Sequence, residues 1–483
     1  MSKYLILLNI GYNLQNWKIR FAYLSYNDNG LSKYFVFLHI QVSVPCRECA
    51  GTMNENRKTM RILIVNTSDR TGGAAVAAGR LMDALNNNGE QAKMLVRDKE
   101  TESISVAQLP SCGPRKWHFL WERWNIFRRL RFSRHHLFEI DTASSGTDIT
   151  SLPEYRWADV IHLNWINQGM LSLSDIRKII RSGKPVVWTM HDLWPATGIC
   201  HYPRGCAAYK NACRDCRLLP GGGSASDMSA DVWKRKKSLY ADSNIYFVAC
   251  SRWLEQQARQ STLLTGQRVT SIPNAIDTRI FNVKDKRESR LLSGLPEDKR
   301  IILFVSHKVT DKRKGMDYFV EAVSHLAAQH PEMCADTVVA VLGTHSEELA
   351  GRMPLTVYPL GYVTDDRRLV AIYNAADVYV LPSLEDNLPN TIMESLACGV
   401  PCVGFRVGGI PEMIDHRVNG YVADARSATD LAEGLHWVLC EADADALSRA
   451  AVAKVASRYS QQSVAMKYIE VYNEVAALKN YVR

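Results

Sequence analysis

From Met60 onward, short runs of β-branched and aliphatic residues alternate with stretches whose apolar positions recur at helical spacing. The runs at 62–66, 160–163, 186–190 and 246–250 are apolar at nearly every position. That pattern predicts strands buried on both faces, as in a parallel sheet flanked by helices. The alternation pauses over 271–277, where turn-forming residues gather, and a charged stretch at 284–300 leads into a second series. Its runs lie at 301–305, 338–342, 357–360, 378–381 and 402–405, and the chain closes in helical sequence over 444–478. Two such series predict an α/β protein of two Rossmann-like, doubly wound domains facing a cleft. The expected limits are 60–275 for the first domain, 276–455 for the second and 456–483 for a C-terminal helix. Residues 1–59 are aromatic-rich and aperiodic, and Met60 stands as the natural start of the first strand. They are expected to be a non-native or poorly ordered extension, with a genuine accessory segment as the alternative.

Composition narrows the class. The chain has 483 residues, 46% hydrophobic and 23% charged, which excludes a disordered, collagen-like or disulfide-dense protein. Twelve cysteines in this length favour a reducing cytoplasm. No window reaches the ~18 consecutive apolar residues of a membrane span. The apolar run at 4–10 follows Lys3 like a short signal peptide, but no small-residue cleavage site stands behind it, so a cytoplasmic location is expected. Cys46 and Cys49 have metal-like spacing without a second pair and stay unassigned.

Charge changes the picture in one place. Between 115 and 136, Arg115, Lys116, Arg123, Arg128, Arg129, Arg131 and Arg134 stand against the single acid Glu122. Trp117, Trp121 and Trp124 recur at i, i+4 and i+7, with Leu120 and Phe127 nearby, and on a helix they make an aromatic stripe flanked by arginines. Such a surface suits the anionic headgroups of an inner membrane leaflet, at ~1 kcal/mol per near-surface cation. The competing reading packs the tryptophans in the core and leaves the arginines to solvent. Nucleic acid is not expected, since no binding motif accompanies the charge.

Two strand ends carry candidate chemistry. The first strand runs into Thr67-Ser68-Asp69-Arg70-Thr71-Gly72-Gly73, so Gly72 and Gly73 sit where a strand hands over to a helix N-terminus. Bare backbone and the helix dipole both favour an anion there, and a tight turn is the plainer reading. The spacing is not that of a nicotinamide site. The run 378–381 ends in Pro382-Ser383-Leu384-Glu385-Asp386-Asn387-Leu388-Pro389, and Pro389 suits the first turn of a helix that Gly399 closes. Glu394, about one turn inside, is a carboxylate suited to paired ribose hydroxyls rather than to bare phosphate.

These residues carry a resemblance. From Met60 to its end, the chain resembles retaining glycosyltransferases of family four, which have the two-domain GT-B fold. The segment 386–394 is similar to their Glu-x7-Glu motif, with Asp386 in the first Glu position and Glu385 as the alternative occupant. The resemblance implies an N-terminal acceptor-binding domain, a C-terminal nucleotide-sugar-binding domain and a final helix that returns to the first domain. It assigns Asp386 or Glu385 to donor-sugar hydroxyls, the amides near Asn387 and Leu388 to sugar or diphosphate, and Glu394 to ribose. Gly408-Gly409-Ile410-Pro411-Glu412 resembles the family's Gly-Gly-x-x-Glu stretch, and Tyr362 and Val363 its base-binding strand end. In 306–315, Lys314 before Gly315 fits the family's lysine, which stabilises the leaving diphosphate. Val309 fills the position of the family's arginine, so Lys308, Lys312 or Arg313 must substitute. His191, at the end of the run 186–190, matches a His-Asp position at the junction of donor and acceptor and is expected to position the reacting sugar. Front-face transfer, with the leaving phosphate as base, is implied.

The stretch His162-Leu163-Asn164-Trp165 is expected to line the acceptor pocket, helped by Ser251 and Arg252. Cys200, Cys206, Cys213 and Cys216 fall within 17 residues beside His201, a set able to close a structural zinc site; free or paired cysteines are the alternative. No cofactor is required for catalysis on this reading. The expectation is a cytoplasmic enzyme, peripheral at the inner membrane, that moves a sugar from a nucleotide-sugar to a lipid-linked or glycan acceptor of surface polysaccharide, capsule or lipopolysaccharide assembly. A GT-B-fold sugar-nucleotide epimerase and a zinc-stabilised basic nucleic-acid-binding protein are the alternatives.

Overall fold

A computed structural model of the chain describes residues 59–110 and 116–481, together with three strands before residue 35. Residues 1–58 and 59–483 are separate compact units. In the first, β1 (Leu5–Gly11), β2 (Lys18–Asn27) and β3 (Gly30–Tyr34) pair antiparallel in that order. Cys46, Cys49 and Arg115 lie outside the described residues.

The larger unit holds two parallel sheets. Its first lobe carries β4 (Arg61–Ser68), β5 (Gln91–Asp98), β6 (Val106–Gln108), β7 (Val160–Leu163), β8 (Val186–Met190), β9 (Tyr246–Ala249) and β10 (Arg268–Ser271), in spatial order β10-β9-β8-β7-β4-β5-β6. The second carries β11 (Arg300–Lys308), β12 (Thr337–Thr344), β13 (Thr356–Gly361), β14 (Val378–Leu381), β15 (Cys402–Phe405) and β16 (Gly420–Ala423), in order β13-β12-β11-β14-β15-β16. The apolar runs form central strands: every residue of β7, β8, β14 and β15 is buried. Strands β5 and β10 escape the run pattern because their exposed positions carry polar side chains such as Gln91, Lys93 and Arg268.

Both sheets reverse direction beside their first strand, between β4 and β7 in one and between β11 and β14 in the other. An open parallel sheet leaves a crevice at such a point, where the flanking loops diverge to opposite faces. Helix Gln461–Tyr481 packs Val464, Ala465, Tyr468, Ile469 and Tyr472 against Ile62, Val160, Val187 and Val248 of the first lobe, as the resemblance implies. Helix Ala444–Arg458 stays with the second lobe through Ala451 and Val455. The chain crosses between them at Tyr459, whose carbonyl accepts Ile276 N–H at 2.8 Å.

Candidate active site

The loops leaving β4, β7, β11 and β14 border a single cleft of about 1120 Å3 between the lobes. Two backbone devices set the second-lobe side. Lys312–Lys314 form a 3-10 turn capped by the Asp311 side chain and closed by Gly315 at φ +70°. A Cβ on Gly315 would stand 1.8 Å from the Pro382 carbonyl oxygen, so the bare residue lets the cationic turn press against the loop after β14. From the other side Gly408, at φ +54°, abuts the Asp386 carbonyl, where a Cβ would lie at 1.6 Å. The loop from Pro382 to Asp386 is thereby flanked by two glycine turns.

This packing sets a buried charge cluster. The Asp386 carboxylate accepts from Lys314 Nζ at 2.6 Å and from the Ser383 hydroxyl at 3.2 Å, with Arg313 Nη1 at 3.9 Å. Burial works against its charged form, but Lys314 foremost, then Arg313, hold the Asp386 carboxyl below the usual carboxylate range. Arg313 also donates to the Glu385 carbonyl at 3.1 Å and lies 5.4 Å from the ring centre of Tyr202, across the cleft. Of the candidates to stand in for the missing arginine, Arg313 is the one beside Asp386; Lys308 and Lys312 are exposed and off the cleft wall.

Opposite, His191 follows β8. Its Nε2 lies 3.0 Å from Asn164 Oδ1 and its Nδ1 3.4 Å from Cys250 Sγ. Burial draws the imidazole down to about 4 and pushes the Cys250 thiol up, so the ring is neutral, donating to Asn164 and accepting from the thiol. The His191 carbonyl accepts Asn387 Nδ2 at 3.1 Å from the other lobe, and Asn387 Oδ1 accepts the Ser251 hydroxyl. Asn390 Nδ2 donates to the Gly73 carbonyl at 3.1 Å. Glu412 accepts the backbone N–H groups of Arg252 and Trp253, at 3.0 and 2.7 Å, and so caps a first-lobe helix from the second lobe.

Of the residues singled out in the sequence, Gly72, Gly73, Trp165, His191, Arg313, Lys314, Asp386, Asn387 and Leu388 line the cleft. Asn164 stands behind His191. Ser251 and Arg252 serve the seam between lobes, while Tyr362 is exposed and Val363 packs on the second-lobe core. Glu385 sits outside the lining, and burial holds its carboxyl above the usual value. Glu394 is also off the wall: its two oxygens take Arg80 Nη2 at 2.6 Å, from the first lobe, and the Tyr373 hydroxyl at 2.8 Å. His162 does not line the cleft. It is buried within β7 on the face that the C-terminal helix covers, between the Tyr472 hydroxyl and Thr189, each at 2.7 Å.

The cysteine-rich insertion reaches the cleft. It contributes His201, Tyr202 and Arg204, none of which the sequence marked as a wall residue; the only signal was their place directly after the His191 strand. Each thiol of Cys200, Cys206, Cys213 and Cys216 lies within electrostatic reach of the other three. Among the described residues, no three His, Cys, Asp or Glu side chains are arranged to hold a metal ion.

The basic segment forms the helix Trp117–Arg129. Trp117, Leu120, Trp121 and Trp124 are 54%, 54%, 47% and 52% exposed, which overturns the reading that packs the tryptophans in the core. Glu122 and Arg123, counted with the outer charge, instead face inward and are buried. Among the described residues, no helix is long and apolar enough to cross a membrane.

Comparison with known proteins accords with this architecture. Residues 71–280 match the model described as Glycosyltransferase Family 4, and residues 299–441 the model described as Glycosyl transferases group 1. D-inositol 3-phosphate glycosyltransferase of Thermobispora bispora is 29% identical over 219 residues, 43% of this chain and 51% of that protein. The enzyme of that name from Acidothermus cellulolyticus is 27% identical over 343 residues, covering 68% and 69%. The chain spans about half the length of the first relatives it matches. Among solved structures, sucrose-phosphate synthase from Thermosynechococcus elongatus aligns with a TM-score of 0.60 at 18% identity, covering 87% of this chain and 100% of that one. Anabaena HepE in complex with UDP-glucose aligns at 0.53 and 14%, covering 86% and 100%. With a glycosyltransferase model matching each lobe and a cleft between two parallel sheets, the chain has the GT-B fold, its first lobe similar to Glycosyltransferase Family 4 and its second to Glycosyl transferases group 1.

Proposed function

We propose that the chain moves a sugar from a nucleotide-sugar to a lipid-linked or glycan acceptor at an anionic membrane surface, with retention at the anomeric carbon, in surface polysaccharide assembly. The observation that carries this reading is the Lys314–Asp386–Arg313 cluster, placed beside the Asn387–Leu388 loop and across the cleft from His191. Two cations at one mouth suit a leaving diphosphate, whose charge grows as the glycosidic bond breaks. Asp386, held ionised, is suited to accept from sugar hydroxyls. Asn387 ties the donor loop to the His191 carbonyl, so closing the lobes and placing the reacting sugar are one motion. His191 is neutral and its ring already engaged, which leaves the departing phosphate to take the acceptor proton on the same face. The transfer so described requires no cofactor. The exposed tryptophans beside Arg128, Arg129, Arg131 and Arg134 suit a peripheral contact with anionic lipid. Lys116 and Phe138 lie both next to that helix and on the cleft wall.

The test incubates the protein with UDP-, GDP- and ADP-sugars, with and without membrane extract. Nucleoside diphosphate should appear in step with an acceptor product of unchanged anomeric configuration. Turnover to an isomeric nucleotide-sugar without acceptor would instead identify an epimerase, and an inverted product would remove the front-face reading.

A further inference from the structure

We infer that His201, with Asp141 and Arg123 behind it, is a positioning residue that fixes Trp165 as a flat platform for an acceptor sugar. The inference rests on the transfer reading above. The His201 ring lies between two carboxylates, Nδ1 at 2.8 Å from Asp192 Oδ2 and Nε2 at 2.7 Å from Asp141 Oδ2. Each ring nitrogen thus faces a carboxylate oxygen, which fixes the plane of the ring. The Trp165 indole stacks on this ring, centroids 5.6 Å apart at 29°, and its Nε1–H donates at 3.0 Å to the same Asp192 oxygen. Trp194 N–H holds the other Asp192 oxygen at 2.8 Å. One carboxylate thus fixes the edge of the indole and the ring that backs it.

Trp165 is part-buried and lines the cleft, so with His201 stacked against it the indole offers an aromatic surface among polar neighbours. Such a surface suits the C–H-rich side of a pyranose, while its tethered edge keeps the plane from turning. In the other direction, Asp141 pairs with Arg123, which also donates to the Ile140 carbonyl at 3.2 Å. Arg123 lies on the inner side of the helix whose outer side carries Trp117, Trp121 and Trp124. A continuous line of side-chain contacts, Arg123 to Asp141 to His201 to Asp192, therefore ties the acceptor platform to that helix.

The test separates acceptor from donor. With membrane lipid extract as acceptor, Trp165→Leu and His201→Gln should each raise the apparent KM for extract by roughly tenfold, the scale of an aromatic contact. The Kd for UDP or GDP, whichever the wild type binds, should stay within about twofold. Trp165→Phe, which keeps a flat ring, should recover most of the loss. The double variant Trp165→Leu with His201→Gln should be no worse than Trp165→Leu alone, because His201 acts only through the indole. An unchanged acceptor KM, a parallel loss of nucleotide affinity, or multiplying effects in the double variant would overturn the inference. If His201→Gln does not fold, the contrast between Leu and Phe at 165 decides: equal losses overturn it. Absence of transfer by the wild type would instead strike the functional reading itself.

Discussion

Replacing Lys314 with Met removes the nearest cation from Asp386 while keeping the length of the side chain. The pair spans 2.6 Å, with side chains 19% and 11% exposed, so it lies between a surface pair and a buried one. Surface pairs contribute about 0–1 kcal/mol and breaking a buried pair costs about 3–5 kcal/mol, which places this loss near 2 kcal/mol. The pH dependence has a definite sign. Asp386 is held below its ordinary value, so its contribution is present above the unfolded pKa and fades as pH falls through the depressed folded one. Lys314→Met should flatten that acid-side slope. On turnover, loss of one group that stabilises developing charge costs about 100- to 1000-fold. Initial rates of nucleoside diphosphate release at saturating donor, with urea unfolding at neutral and acid pH, read both effects. Lys312→Met is the control, since Lys312 is exposed and does not touch Asp386. Turnover of Lys314→Met within about threefold of wild type, or an equal loss in the control, would refute the assignment.

Glu394→Gln keeps the shape that meets Tyr373 but removes the charge facing Arg80 of the first lobe, and should lower stability by about 1–3 kcal/mol in urea unfolding, the scale of one charge-assisted hydrogen bond; an unchanged midpoint would remove that pair from the contacts that hold the lobes together. Replacing Trp117, Trp121 and Trp124 together with Ala should lower partition onto vesicles containing phosphatidylglycerol by at least about tenfold, and equal sedimentation with wild type would end the membrane reading. Burial, then the neighbouring Asp141, raises Glu122 to about 7, so its ionisation destabilises the fold as pH climbs from the ordinary 4.5 toward that value. Glu122→Gln should therefore gain in urea midpoint relative to wild type at pH 8, with the difference closing at pH 4; a gap independent of pH contradicts this.

The fold was legible in the sequence because its cause is local. A strand buried on both faces must be apolar at every position, and the runs at 160–163, 186–190, 378–381 and 402–405 appear as β7, β8, β14 and β15. Gly315, expected only from the resemblance, takes the left-handed φ of +70° that its missing side chain allows. Strand ends also mark which residues reach the crevice, so His191 and Asp386 lie on the cleft. Which partner each would meet was not legible. Arg313 rather than Lys308 stands beside Asp386 because Gly315 turns the chain back onto Pro382. Glu394 turns to Arg80, 314 residues away, and His162 to Tyr472, 310 residues away. The insertion delivers His201 to Asp192, just after β8, and to Asp141, 60 residues earlier in the chain. Periodicity along the chain determines what each element buries; the angle and spacing at which two finished sheets meet decide which charges are neutralised across the gap, and no local pattern encodes that distance.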